Sequence, residues 1–229
     1  MTVDLGELYA AARYRITDLV MTSEPEQLEN VCPSTPEWTM HGVLSHLRGV
    51  AEDVRLGNVA DAGTDAWTAR QVQRHAATPV PDLLAGWTDD AAMLEALLSS
   101  PSGASAARAV LDVNTHEADL RGALGCVVHL PDLFGDWATA RLAERLIDNA
   151  AEAGLPALRV ETVEGDRVGA DQAEVVLRSS RYEFFRATFG RRSPEQVLAY
   201  DWGGADGRPY LAHVFVFGPR TTPLTEEAS

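Results

Sequence analysis

The sequence predicts a mainly α fold, a four-helix bundle followed by a small α+β C-terminal domain. Three observations carry this. Apolar residues recur at helical spacing in four long segments ahead of Gly125. The connections between those segments hold Pro, Gly and Ser, two of them short and one long. Beyond Gly154 and Pro156 the helical period gives way to short runs rich in Val and Leu, separated by Gly and Asp. The expected domains are 1–155 and 156–229, and 229 residues with 45% hydrophobic content suffice for both.

Leu5, Leu8, Tyr9, Ala12, Ile16 and Leu19 set a helix over 4–20. Pro33 and Pro36 mark a loop, and Thr39 is placed to cap a second helix bearing Met40, Val43, Leu44, Leu47, Val50 and Val54. A long connection follows, with a short helix at WTARQVQRH. Leu83, Leu84, Trp87, Ala91, Leu94 and Leu97 give a third long helix. After the SSPSGASAA turn a fourth runs to Gly125, the expected cap. A fifth helix ends at Gly154. ALRVETVEGDRVG reads as two strands about a Glu-Gly-Asp turn and AEVVLRSS as a third. RYEFFRATFG and SPEQVLAY read as helices, YLAHVFVFG as a last strand, and TTPLTEEAS as a loose tail.

The net charge of −15 disfavours a phosphate backbone as partner, and no basic stripe offsets it, so no nucleic acid is expected. All 19 basic residues are arginine. The absence of lysine removes Schiff-base chemistry and a Gly-Lys phosphate loop. No apolar run has the length of a membrane span, and the first twenty residues lack the pattern of a signal peptide. Cys32 and Cys126 form neither a disulfide framework nor a metal knuckle, which points to a cytoplasmic protein.

The polar residues inside apolar faces carry the functional question. In LDVNTHEADLRGALG, Asp112, His116 and Asp119 stand at spacings of four and three, on one helix face. His46 interrupts the stripe of Val43 and Val50. Two imidazoles and a carboxylate suit a three-ligand zinc site with an open position, and equally suit iron or nickel. The alternative is a buried histidine satisfied by a carboxylate, with no metal. Asp119 is read as orienting an imidazole or capping a buried arginine rather than as a ligand. His41, His75, His129 and His213 read as surface or loop residues, and Trp38, Trp67, Trp87 and Trp137 as core anchors.

CPSTPEWTMHGVLSHLRG and DVNTHEADLRGALG resemble the two signatures of the mycothiol-dependent maleylpyruvate isomerase family, within the DinB-like superfamily of metal-binding helical bundles. DAWTARQVQRH and RYEFFRATFGRRSPEQVLAYDW resemble further pieces of such chains. The resemblance implies a DinB-like bundle followed by a small α+β domain. It carries the three metal ligands to His46, Asp112 and His116, with Asp112 where the founding isomerase type has Glu. It further implies a divalent metal (Zn2+, with Ni2+ or Fe2+ as options) and mycothiol or a similar thiol as cofactor. The substrate would be a small electrophilic or carboxylated molecule, changed by isomerisation or thiol transfer, in a monomer or homodimer. An arginine of the C-terminal domain would assist, the candidates being Arg181, Arg186, Arg191 and Arg192. The rival reading is a non-catalytic metal- or small-molecule-binding bundle.

Overall fold

Asp4 opens the first helix by accepting from the backbone N–H groups of Gly6 and Glu7, and α1 then runs Leu5–Met21. The structure, a computed structural model, describes residues 3–226. The chain divides into two units, Met1–Val127 and Val128–Ser229.

In the first unit α1 buries Leu8, Ala12, Ile16 and Val20, a stripe at the i, i+4 period. The expected Pro33/Pro36 loop is instead a small antiparallel ribbon, β1 (Val31–Cys32) and β2 (Thr35–Thr39). Pro36 is tolerated there because a two-stranded ribbon leaves each strand an edge that needs no donor. The Thr39 hydroxyl accepts from the Gly42 N–H at 3.2 Å and starts α2 (Met40–Leu56), which stops at Gly57 with φ +75°. Thr64 caps α3 (Asp65–His75) in the same way. Then come α4 (Val80–Leu98) and α5 (Arg108–Ala123), with Gly125 at φ +65° just past the end.

Helix α1 packs on α4 and α5, and α2 also packs on α4 and α5, so these four close a ring. The third helix lies against α2. The core holds Ile16, Leu44, Leu47, Trp87, Leu94 and Leu120, and the Trp87 indole N–H donates to the Tyr9 hydroxyl at 3.0 Å. Each such apolar side chain contributes about 1.5–3 kcal/mol on burial. An unsatisfied buried polar group costs about 1–3 kcal/mol, so polar residues in this core must be bonded.

In the second unit α6 (Asp132–Glu152) buries Phe134, Ala138, Leu142, Leu146 and Ala150. That stripe packs on β3 (Leu158–Thr162), β4 (Arg167–Gly169), α7 (Arg181–Thr188) and α9 (Leu211–Val214). The division therefore falls at 127/128 rather than at 155, because the fifth long helix serves as the cover of the sheet. In that sheet β3 is central, antiparallel to β4 and parallel to β5 (Val175–Ser179). Between α7 and α9, α8 (Pro194–Leu198) is opened by a Ser193/Gln196 capping box.

YLAHVFVFG forms no strand. Its first residues make α9, whose carbonyls at His213 and Val214 are taken by the Arg145 guanidinium at 3.0 and 2.6 Å. The open edge of β5 is met instead at Asp201, whose carbonyl accepts from the Arg178 N–H at 2.7 Å. The tail is not loose over its described part. Leu224 exchanges two hydrogen bonds with the Gln196 side chain, and the Glu226 side chain is buried. Residues 227–229 of that tail lie outside the described ones.

Candidate metal centre

Helix α2 presents His46 on the face of Val43 and Val50, all three buried. On α5, Asp112, His116 and Asp119 share a face, and α2 and α5 pack together. One ligand-type atom from each of His46, Asp112 and His116 lies within 4.8 Å of the others. His46 Nε2 is 3.2 Å from Asp112 Oδ2, and His116 Nε2 is 3.5 Å from Asp112 Oδ1. The imidazoles are buried, whereas 32% of the Asp112 side chain is exposed. The cluster is thus reached from solvent on the Asp112 side.

The far nitrogen of each ring is fixed. The Gln71 amide nitrogen donates to Asp53 Oδ2 at 2.8 Å, which turns Gln71 Oε1 toward His46 Nδ1, also at 2.8 Å. An amide oxygen only accepts, so Nδ1 carries the proton. His116 Nδ1 likewise donates to Asp119 Oδ2 at 3.0 Å, and the other Asp119 oxygen accepts from the Ser34 hydroxyl at 2.7 Å. Each ring then turns its Nε2 toward the Asp112 carboxylate. Acceptor facing acceptor is repulsive unless a proton or a cation lies between them.

The residues fit a divalent cation. Bonds of about 2.0–2.2 Å around a four-coordinate ion place neighbouring donors roughly 3.3–3.5 Å apart, close to the two separations above. Two imidazole nitrogens and one carboxylate oxygen are the donor types zinc, iron or nickel take. Hydrogen-bonded far nitrogens are the usual support of metal-binding histidines.

Sequence reasoning named His46, Asp112 and His116, which the fold brings together, and missed three neighbours. Gln71 comes from α3 and Ser34 from the β1–β2 turn, both brought in by packing. Trp38 is half-buried rather than a core anchor, its ring centroid 5.1 Å from that of His46 and 5.7 Å from that of His116. Its closeness in sequence to His46 was the one available signal. Glu117 directly follows His116 in the chain but is held by Arg15 at 2.6 Å and Arg121 at 3.0 Å.

Three histidines differ from the expectation, His213 being half-buried on α9. His75 is buried and bonds Glu52 at 3.1 Å, because α3 folds back on α2. Burial, then the charge of Arg48, holds its pKa below the usual value. His41 is half-buried, with Nε2 at 2.9 Å from the Thr78 carbonyl.

The four candidate arginines all lie in the second unit. Arg181 is held by Asp166 and Asp136. Arg191 donates to the Phe189 carbonyl at 2.7 Å. Arg186 and Arg192 are 0% and 1% exposed and meet Glu226.

The class this defines is a helical-bundle protein with a two-histidine, one-aspartate cluster in the bundle, followed by an α+β unit. Residues 9–134 match the mycothiol maleylpyruvate isomerase N-terminal domain, and the chain belongs to that family. Two crystal structures share the fold. The mycothiol-dependent maleylpyruvate isomerase aligns with a TM-score of 0.55 at 15% identity, and a histidine-to-alanine mutant of it with 0.56 at 14%. Each alignment covers 82% of this chain and 88% of the other. No curated protein matches the chain. Among the described residues no helix is long and apolar enough to cross a membrane.

Proposed function

We propose that the protein is a metal-dependent enzyme that uses a low-molecular-weight thiol of the mycothiol type. Its substrate is a small electrophilic or carboxylated molecule, which it isomerises or joins to the thiol. The observation that carries the reading is the convergence on Asp112 of two Nε2 atoms, each ring being held from its far side by Gln71 or Asp119. His46, Asp112 and His116 would hold the ion. A bound divalent cation stabilises a thiolate, a nucleophile that the ligand set itself does not contain.

The chain's own residues do the rest. Gln71 and Asp119 keep both rings in one tautomer and one orientation, so no reorganisation is needed when the ion enters. Trp38 covers both imidazoles and keeps water from that side. The exposed edge of Asp112 leaves the approach for small molecules. An arginine of the second unit would neutralise a substrate carboxylate by a bidentate contact.

Elemental analysis of the purified protein, with thiol-dependent consumption of a panel of unsaturated acids, tests the reading. One divalent ion per chain, lost in His116→Ala, together with turnover that requires the thiol, is expected. A stoichiometric ion without turnover would favour the non-catalytic binding protein, and no ion at all would overturn the metal reading.

A further inference from the structure

Tyr9 on α1 is 1% exposed, and its hydroxyl oxygen accepts from the Trp87 indole N–H at 3.0 Å. An indole nitrogen only donates, so this bond leaves the phenolic proton unspent. Among the described residues no acceptor takes that proton. A buried hydroxyl ordinarily places its proton as well as its lone pair. Satisfying the Trp87 N–H therefore accounts for the Tyr9 oxygen and leaves the proton without a role.

The surroundings offer one acceptor. Helix α1 packs on α4 and α5, which carry Glu95 and Asp112. Burial raises the Tyr9 pKa and keeps the phenol neutral, and Asp112 acts on it ahead of the charges of Arg13 and Glu95. Glu95 is taken by the Arg13 guanidinium, Nε to Oε1 at 2.8 Å, and arginine itself has no acceptor. The oxygens of Asp112 face His46 and His116 at 3.2 and 3.5 Å, the side on which an ion would be held. A carboxylate has about four lone-pair sites, so oxygens engaged on that side still accept from another. A neutral phenol donating to a carboxylate makes a charge-assisted bond, strengthened by a poorly polar core.

We propose that Tyr9 is a positioning residue of the candidate metal centre, its hydroxyl donating to Asp112 and holding that carboxylate on the ion. The two groups are not hydrogen-bonded in the structure. The Asp112 side chain, 32% exposed, has room for the turn that joins them. Each of the three cluster residues is then steadied by a neighbour, the imidazoles by Gln71 and Asp119 and the carboxylate by Tyr9. The inference rests on the metal reading.

The test uses the full chain with Co2+ as the only added metal, since its visible bands report ligand geometry. Tyr9→Phe should weaken Co2+ binding about 10-fold and shift those bands. Trp87→Phe, which removes the other end of the same hydrogen bond, should lower Tm and leave Co2+ affinity and bands unchanged. A second measurement needs no Tyr9 variant, and so stands if Tyr9→Phe does not fold. In protein labelled with 3-fluorotyrosine, Zn2+ should shift the fluorine resonance of Tyr9. Tyr9 and the 63% exposed Tyr14 are the tyrosines of the first unit, and Tyr14→Phe tells their signals apart. Unchanged Co2+ binding in Tyr9→Phe, an equal loss in Trp87→Phe, or a Tyr9 fluorine indifferent to Zn2+ overturns the inference alone. If the unchanged protein binds neither ion, the metal reading fails and the inference falls with it.

Discussion

Gln71 shows how a residue outside the candidate cluster sets the orientation of one within it. Its amide is oriented by Asp53, which also bonds Arg74 at 2.9 Å, so the His46 tautomer is fixed through a chain of three residues. Supports of this kind are worth about 10–100-fold in metal affinity. Gln71→Ala and Asp119→Asn should each weaken ion binding by about that factor in a competitive chelator titration, and His116→Ala should abolish it. Equal affinity in Gln71→Ala would show that the tautomer is set elsewhere. His75, outside the cluster, gives a pH dependence instead. Its folded pKa lies below the ordinary imidazole value of 6.5, so the unfolded chain binds more protons there and stability rises with pH. The contribution is present above 6.5 and is lost as the pH falls through the folded pKa. Glu52 adds to this at lower pH: burial raises its pKa, but Arg74 and His75 outweigh burial and hold it low. His75→Gln should therefore flatten the decline of Tm as the pH falls below about 6.5, and an unchanged profile would place the acid sensitivity in other groups.

Between elements, α3 is the one that the site requires and the bundle does not. It approaches α2 closely because Gly49 has no side chain: a Cβ there would lie 2.5 Å from Gln71 Cβ and 3.2 Å from Gln71 Cα. Alanine in a helix gains about 1 kcal/mol over glycine, whereas overpacking costs about 1–3 kcal/mol. Here the clash falls on atoms next to the α3 backbone, which cannot swing aside. Gly49→Ala should lower the denaturation midpoint and, by pushing Gln71 off His46, reduce metal affinity as Gln71→Ala does. A stabilised Gly49→Ala with unchanged metal affinity would show that α3 is free to move. The β1–β2 ribbon acts likewise on His116, through Ser34 and Asp119. Ser34→Ala leaves Asp119 one donor short in a site with no exposure and should cost about 1–3 kcal/mol, read by denaturant unfolding.

At the scale of the whole chain, every residue of the cluster and its supports lies in Met1–Val127. A chain ending at Val127 should fold and bind one divalent ion, checked by circular dichroism and elemental analysis, while thiol-dependent turnover should be lost with the arginines. A folded fragment without metal would show that the second unit completes the site. Cutting instead at 155 would keep α6 without the sheet it covers and expose Phe134, Leu142 and Leu146, so that fragment should aggregate more readily.

What the sequence determined by itself was what repeats locally. The 3.6-residue period located α1, α2, α4, α5 and α6, the Thr39, Gly125 and Gly154 signals bounded them, and the four-residue spacing put Asp112 and His116 on one face. The candidate cluster was legible because His46 and His116 break apolar stripes, and the quoted signatures joined them. Only the tertiary structure decided which residues from distant segments complete the arrangement. Gln71, Ser34 and the burial of His75 depend on packing between elements, which leaves no period in the chain. The same holds for the strand that YLAHVFVFG did not form, since Arg145 takes its carbonyls from another helix, and for Glu226, whose partners lie 34 to 44 residues earlier. Hydrophobic periodicity is a property of neighbours in sequence, whereas hydrogen-bond satisfaction in a core is a property of neighbours in space.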